Sequence, residues 1–257
     1  MSPFKHTDYT IAWICALPLE AAAARVMLDK VHDSLPQPST DPNAYVLGEL
    51  NVSAATVVSH MRSTFTRIEF GLMVGTGGGV PGESNDIRLG DVVISKPEGK
   101  YSGVIQYGYG KAVQGRRFEP TGSLNRPPHV LLTHVAQLEA KQMIEREGVM
   151  LRIVEKVLED NPYMKGMYRQ PRGTRAPHIH YGLIASGDQL MKNSKTRDRL
   201  ARQHGILCFE MGAAGIMDAL PALAYTWKSQ GRLPDASICK RIQCGTLQLQ
   251  QWLSHSA

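Results

Sequence analysis

Two hydrophobic patterns alternate along this chain. Residues 9–17 (YTIAWICAL), 70–76 (FGLMVGT), 91–97 (DVVISKP), 179–187 (IHYGLIASG) and 206–212 (ILCFEMG) are short, nearly continuous apolar runs rich in β-branched residues. Such runs predict strands buried on both faces. Between them lie segments whose apolar positions recur at helical spacing: 19–32 (LEAAAARVMLDKVH), 127–148 (PPHVLLTHVAQLEAKQMIEREG), 150–160 (MLRIVEKVLED), 194–205 (SKTRDRLARQHG) and 213–223 (AAGIMDALPAL). A further helix is predicted over 51–65, capped by Asn51 or Ser53. Residues 45–50 (YVLGEL) read as a strand cut short, and the polar stretch 98–128 as surface excursions. Strands alternating with helices predict one α/β domain, a three-layer α/β/α arrangement around a mixed, mainly parallel central sheet.

The glycines of residues 70–95 (FGLMVGTGGGVPGESNDIRLGDVVIS) stand out from this pattern. Gly77, Gly79 and Gly82 satisfy G-x-G-x-x-G by spacing, but that fingerprint must open a helix, and here Pro81 and a polar turn lead to another strand. No Lys-Ser or Lys-Thr follows at the spacing of a P-loop. What remains is a strand ending in small residues at a sheet edge, where a flat ring could approach the backbone, or a glycine turn with no ligand at all.

Composition narrows the function classes. With 42% hydrophobic and 20% charged residues, the chain of 257 residues has ordinary globular character. Its net charge of +6 is spread over small groups such as Arg116-Arg117, with no aromatic-interleaved basic stretch, so no nucleic-acid partner is expected. The short apolar run after the polar N-terminus can neither serve as a signal peptide nor span a bilayer, so a cytoplasmic or nuclear protein with no membrane partner is expected. Cys15 and Cys208 sit in apolar runs and read as buried thiols of a reducing compartment. Cys239 and Cys244 lack a second ligand pair, and His178 and His180 lack a nearby carboxylate in sequence, so no metal is expected.

Four separated motifs then converge in order: WICALPLEAAAARVML, FGLMVGTGGGVP…DIRLGDVVIS, HYGLIASGDQLMK and ILCFEMGAAGIMD. Together they resemble the nucleoside phosphorylase/nucleosidase superfamily, most of all its fungal branch, whose members are often joined to NACHT, ankyrin or TPR modules. The resemblance covers residues 9–223 and leaves 224–257 as an atypical tail. It implies the nucleoside phosphorylase-like fold and cleavage of the N-glycosidic bond of a nucleoside, a purine by the look of ALPLE and FEM. Phosphate or water would be the acceptor, with no other cofactor. Homo-oligomers, from dimer to hexamer, are also implied.

The resemblance assigns roles residue by residue. Glu20 matches the glutamate that positions or activates the attacking water; otherwise it is a first-turn helix carboxylate. Gly77 and Gly78 match the strand end against the base, and Leu190 and Met191 match residues that clasp it; for the latter pair, ordinary core packing is the alternative. Met211 matches the methionine packed on the ribose, Glu210 the glutamate near base and sugar, and Ser53 the far side of a phosphate- and ribose-contacting loop.

Three departures point to an incomplete member. Gly212 replaces a glutamate that accepts hydrogen bonds from the ribose hydroxyls, a loss on the order of 2–4 kcal/mol in a buried site. Residues 224–257 hold no recognisable strand followed by the leaving-group aspartate, since Asp235 follows Pro234 in a polar context. YVLGEL meets NVSAATVV where the family has a further strand, and no arginine occupies a recognisable phosphate position. The implied activity is therefore N-glycosidic cleavage impaired in this form, with a non-catalytic nucleoside-binding or signalling module as the alternative.

Overall fold

The computed structural model describes residues 4–15, 30–41, 43–49, 63–80, 85–107, 110–113, 117–120, 124–145, 177–187 and 191–228, together with Arg25, Leu28, Gly82 and Glu159. Among these residues, eleven strands follow in chain order: β1 (Ile11–Ile14), β2 (Lys30–Val31), β3 (Gly48–Glu49), β4 (Phe70–Gly79), β5 (Val92–Ser95), β6 (Val104–Gln106), β7 (Gly110–Val113), β8 (Arg117–Pro120), β9 (Ile179–Ser186), β10 (Ile206–Glu210) and β11 (Ala222–Lys228). The helices described are α1 (His129–Glu145), α2 (Ser194–His204) and α3 (Ala213–Ala219).

Seven strands share one sheet, in the order β1-β4-β10-β9-β5-β11, with β6 on β9 and a further pairing of β11 with β4. That last pairing closes β4, β10, β9, β5 and β11 into a ring. The ring is mixed but mainly parallel, as expected: only β10 against β4 and β11 against β5 run antiparallel. A flat middle layer is not what forms. Strand twist lets a sheet curl, and glycines in β4 let its neighbours close in. A Cβ on Gly71 would lie 2.8 Å from Leu220 Cδ2, and one on Gly77 would lie 2.7 Å from the Phe209 carbonyl oxygen.

The apolar runs land where their pattern requires. Every residue of β5 and β10 is buried. One core cluster joins Ala12 and Ile14 of β1, Met73 of β4, Ala213 and Met217 of α3 and Ala222 and Ala224 of β11. A second joins Ile105 of β6, Leu183 and Ala185 of β9, Phe209 of β10, and Leu200 and Ala201 of α2. Helix α1 buries Leu131, Val135, Leu138 and Gln142, a stripe at helical spacing. Helix α2 starts at Asn193, whose side chain accepts from the Thr196 amide at 3.0 Å, and stops at Gly205, left-handed at φ 73°.

Four expectations change. The glycine run is not a turn: Gly75, Gly77, Gly78 and Gly79 all lie inside β4, and only Gly90, at φ 87°, turns the chain into β5. The stretch 98–128 is not wholly superficial, because β6 inserts Val104 and Ile105 into the core beside β9. The helix expected to reach residue 32 has given way to strand by Lys30–Val31, which pairs with Gly48–Glu49 as a separate ribbon. The segment expected to stay helical through Leu223 ends at Ala219, and β11 runs across the expected boundary at residues 223 and 224, in the middle of the ring. The predicted helices over 51–65 and 150–160 lie almost wholly outside the described residues, as do Glu20, Ser53, Leu190, Cys239 and Cys244.

Candidate functional site

Strands β6, β9 and β10 are parallel, and they finish side by side, with Gln106 beside Ser186 and Ser186 beside Glu210. Carboxyl ends of strands are where α/β sheets bind ligands, because backbone groups and following loops converge there. The Gly187 amide donates to the Glu210 carbonyl at 3.2 Å, and the Tyr107 amide to the Ser186 carbonyl at 2.8 Å, so the three exits are tied together. From Glu210 the chain turns a sharp corner into α3 through Gly212, whose φ of 136° is a conformation that favours glycine.

The corner is lined by polar side chains that the sheet has buried. Both Glu210 carboxylate oxygens accept from the Ala213 amide, at 3.2 and 3.3 Å. The Ser186 hydroxyl accepts from the Ala214 amide at 3.0 Å. These acceptors satisfy donors that the first turn of a helix leaves open. Met211, the next residue after Glu210, protrudes with 47% of its surface exposed. Beneath Glu210, burial first and the Glu210 charge second push the Cys208 thiol well above its ordinary range, while a Thr226 hydrogen bond works the other way. Cys208 is thus a buried, unreactive thiol, as its apolar run predicts, and Cys15 is half-buried.

The two glycines assigned to the base differ. Gly77 is filled in by the protein, with Phe209, Glu210 and Thr226 against it, whereas nothing lies within 4 Å of a Cβ built on the exposed Gly78. Open space at the end of β4 therefore belongs to Gly78 alone of the pair. Met191 packs, half-buried, against the cluster containing Phe209. The structure thus gathers Gly77, Gly78, Glu210 and Met211 at the β4–β10 junction, with Met191 against the neighbouring cluster.

Three contributors are absent from the sequence reading. Tyr107 leans its ring edge-on against Phe209 at 5.3 Å and covers Gly187; an aromatic set among glycines (QYGYG) is its one sequence signal. Ser186 and Thr226 carry no such signal, since a lone hydroxyl in an apolar run reads as ordinary strand.

A second polar cluster sits where β5 and β9 begin. The sequence shows no carboxylate near His178 and His180, yet the fold supplies Asp91 from the turn before β5. Its buried carboxylate accepts from the Arg88 and His178 amides at 2.8 and 2.9 Å and lies 3.0 Å from His180 Nε2. Gln142 of α1 donates to the Ile179 carbonyl, lies 2.9 Å from His178 Nε2 and accepts from the Tyr181 hydroxyl. The Asp91 cluster stitches the turn, β9 and α1 together, so its work is structural. Among the described residues, no group of three or more His, Cys, Asp or Glu side chains is arranged to hold a metal ion, and no helix is long and apolar enough to cross a membrane.

No protein-family model matches the chain. In sequence it is 38% identical over 251 residues to a nucleotide-binding leucine-rich repeat (NLR)-like protein of Hyaloscypha variabilis, an alignment covering 82% of this chain and 25% of that protein. The chain therefore spans about a quarter of that relative's length. It is 24% identical over 234 residues to a 5'-methylthioadenosine/S-adenosylhomocysteine nucleosidase of Mycobacterium tuberculosis, covering 85% of this chain and 82% of the enzyme. Among solved structures, futalosine hydrolase of Helicobacter pylori superposes with a TM-score of 0.59 at 11% identity, over 98% of this chain and 100% of the other. The H. pylori methylthioadenosine nucleosidase, a mutant with 5'-methylthioadenosine in its active site, gives 0.58 at 12% identity, over 97% and 99%. The chain has the nucleoside phosphorylase/nucleosidase fold.

Proposed function

We propose that this chain is a nucleosidase-type protein that binds a purine nucleoside at the corner after β10 and cleaves its N-glycosidic bond only weakly. The observation that carries the reading is the whole-chain likeness to solved nucleosidases combined with the sequence Glu210-Met211 at the carboxyl end of β10. Open space beside Gly78 suits a flat base, and the protruding Met211 suits the apolar face of a sugar.

Cleavage of that bond passes through a positively charged ribosyl transition state, so it needs negative charge near the sugar, a nucleophile beneath it and a proton for the departing base. Glu20 is assigned the positioning of water, with phosphate as the alternative acceptor. At residue 212 the absence of a side chain removes a carboxylate that would hold the sugar. Losing charge-assisted bonds of that kind slows turnover by about a hundredfold or more.

The test is chromatographic detection of free adenine or hypoxanthine from adenosine, inosine and 5'-methylthioadenosine, with and without phosphate. Slow release is expected. Turnover at an ordinary enzymatic pace, above about 1 per second, contradicts the impairment; neither release nor binding of any nucleoside contradicts the whole reading.

A second reading has its own support. The stronger sequence match is to a quarter of a longer NLR-like protein, which favours a nucleoside-sensing module without turnover. Calorimetric titration with adenosine and inosine separates the two, since binding without product favours the sensor.

A further inference from the structure

Met211 is 47% exposed, yet Glu210 before it is 5% exposed and Ala213, two residues later, is fully buried. A methionine standing out at an exposed corner, with Gly212, between a buried strand end and a buried helix start is held there by its backbone, because its apolar side chain gains nothing from water. Two independent devices hold this one. Gly212 reverses the chain at φ 136°. On the inner side, the Glu210 carboxylate takes the Ala213 amide and the Ser186 hydroxyl takes the Ala214 amide, so adjacent strand ends each grip one peptide of the same helical turn. The grip is rigid because Ser186 and Glu210 are register partners, further joined by the Gly187 amide on the Glu210 carbonyl.

We propose that Glu210 and Ser186 are positioning residues that act through Met211: they clamp the first turn of α3, fix the methionine against a bound nucleoside, and leave the Glu210 carboxylate as an internal acceptor rather than a ligand to the substrate. The affinity part of this proposal rests on the nucleoside reading above; the clamp itself does not.

The experiment uses the full chain, adenosine and 5'-methylthioadenosine as probes, and two readouts. By calorimetry, E210A and S186A lose about tenfold in affinity, while E210Q, which keeps one acceptor oxygen, recovers to within about threefold of the parent. A carboxylate that met the ligand directly would make E210Q as weak as E210A, and that result overturns the proposal. In an M211A background, E210A has no further effect; additive losses overturn action through the methionine. By hydrogen exchange without ligand, the Ala213 and Ala214 amides exchange faster in E210A and S186A than in the parent and in E210Q, and unchanged exchange in E210A overturns the clamp. If the parent chain binds neither probe, the nucleoside reading fails, and with it action on a bound nucleoside; the exchange readout still decides the clamp.

Discussion

Replacing Gly77 by alanine adds one methyl group at the tightest point of the ring. The new Cβ would sit 2.7 Å from the Phe209 carbonyl oxygen and still closer to the Thr226 methyl. Neither can yield easily: the oxygen is main chain of β10, and Thr226 is a buried β-branched side chain whose χ1 is stiff. Overpacking a core costs about 1–3 kcal/mol, and a main-chain obstacle places this case near the upper end. For a chain of this size, about 3 kcal/mol lowers the melting temperature by about 6–12 °C. Gly78→Ala is the internal control. Nothing lies within 4 Å of its Cβ, so the fold accommodates it, and the reduced freedom of the unfolded chain stabilises by about 0.4–1 kcal/mol. Denaturant titrations followed by circular dichroism compare the two. A G77A midpoint equal to the parent's, or a G78A loss as large as that of G77A, would refute the argument that the ring demands glycine at one position and leaves the other open. On the proposed function, G78A also weakens nucleoside binding without lowering stability.

Three more predictions follow from single sites. Asp91→Asn keeps one acceptor oxygen and turns an amide donor toward the other backbone donor, Arg88 or His178, so it costs about 2–3 kcal/mol in denaturant titration; an unchanged midpoint would remove Asp91 as the link between β5 and β9. Burial, with the Lys100 charge second, lowers the His204 pKa below its ordinary 6.5, so the unfolded chain binds the proton more readily and stability falls as pH drops through 6.5 toward the folded value. The slope flattens in H204Q, and an NMR titration placing His204 at or above 6.5 contradicts it. Gly212→Glu returns a carboxylate to the corner, but φ 136° and Met73 Cε at 3.3 Å from the new Cβ make it strained by about 1–3 kcal/mol; the variant melts earlier than the parent, and an unchanged melting temperature would refute this.

Much of the architecture was legible because it depends on local pattern. Buried strands announce themselves as unbroken apolar runs, and FGLMVGT, IHYGLIASG and ILCFEMG became β4, β9 and β10, while α1 and α2 followed their periodicity and caps. Met211 was legible as a candidate from its motif, and the fold exposes it. Closure of the ring was not legible, because it rests on β11 pairing with both β4 and β5, contacts between residues about 130–150 positions apart. The same is true of Asp91 beside His180, separated by 89 residues. Within the glycine run, sequence alone makes Gly77 and Gly78 equivalent. Tertiary packing tells them apart, because neighbouring strands fill the space over one and leave the space over the other open. Residue type and periodicity determine what each segment can become; which polar atoms meet, and which glycine faces open space, depends on the three-dimensional closure that brings distant segments within van der Waals reach.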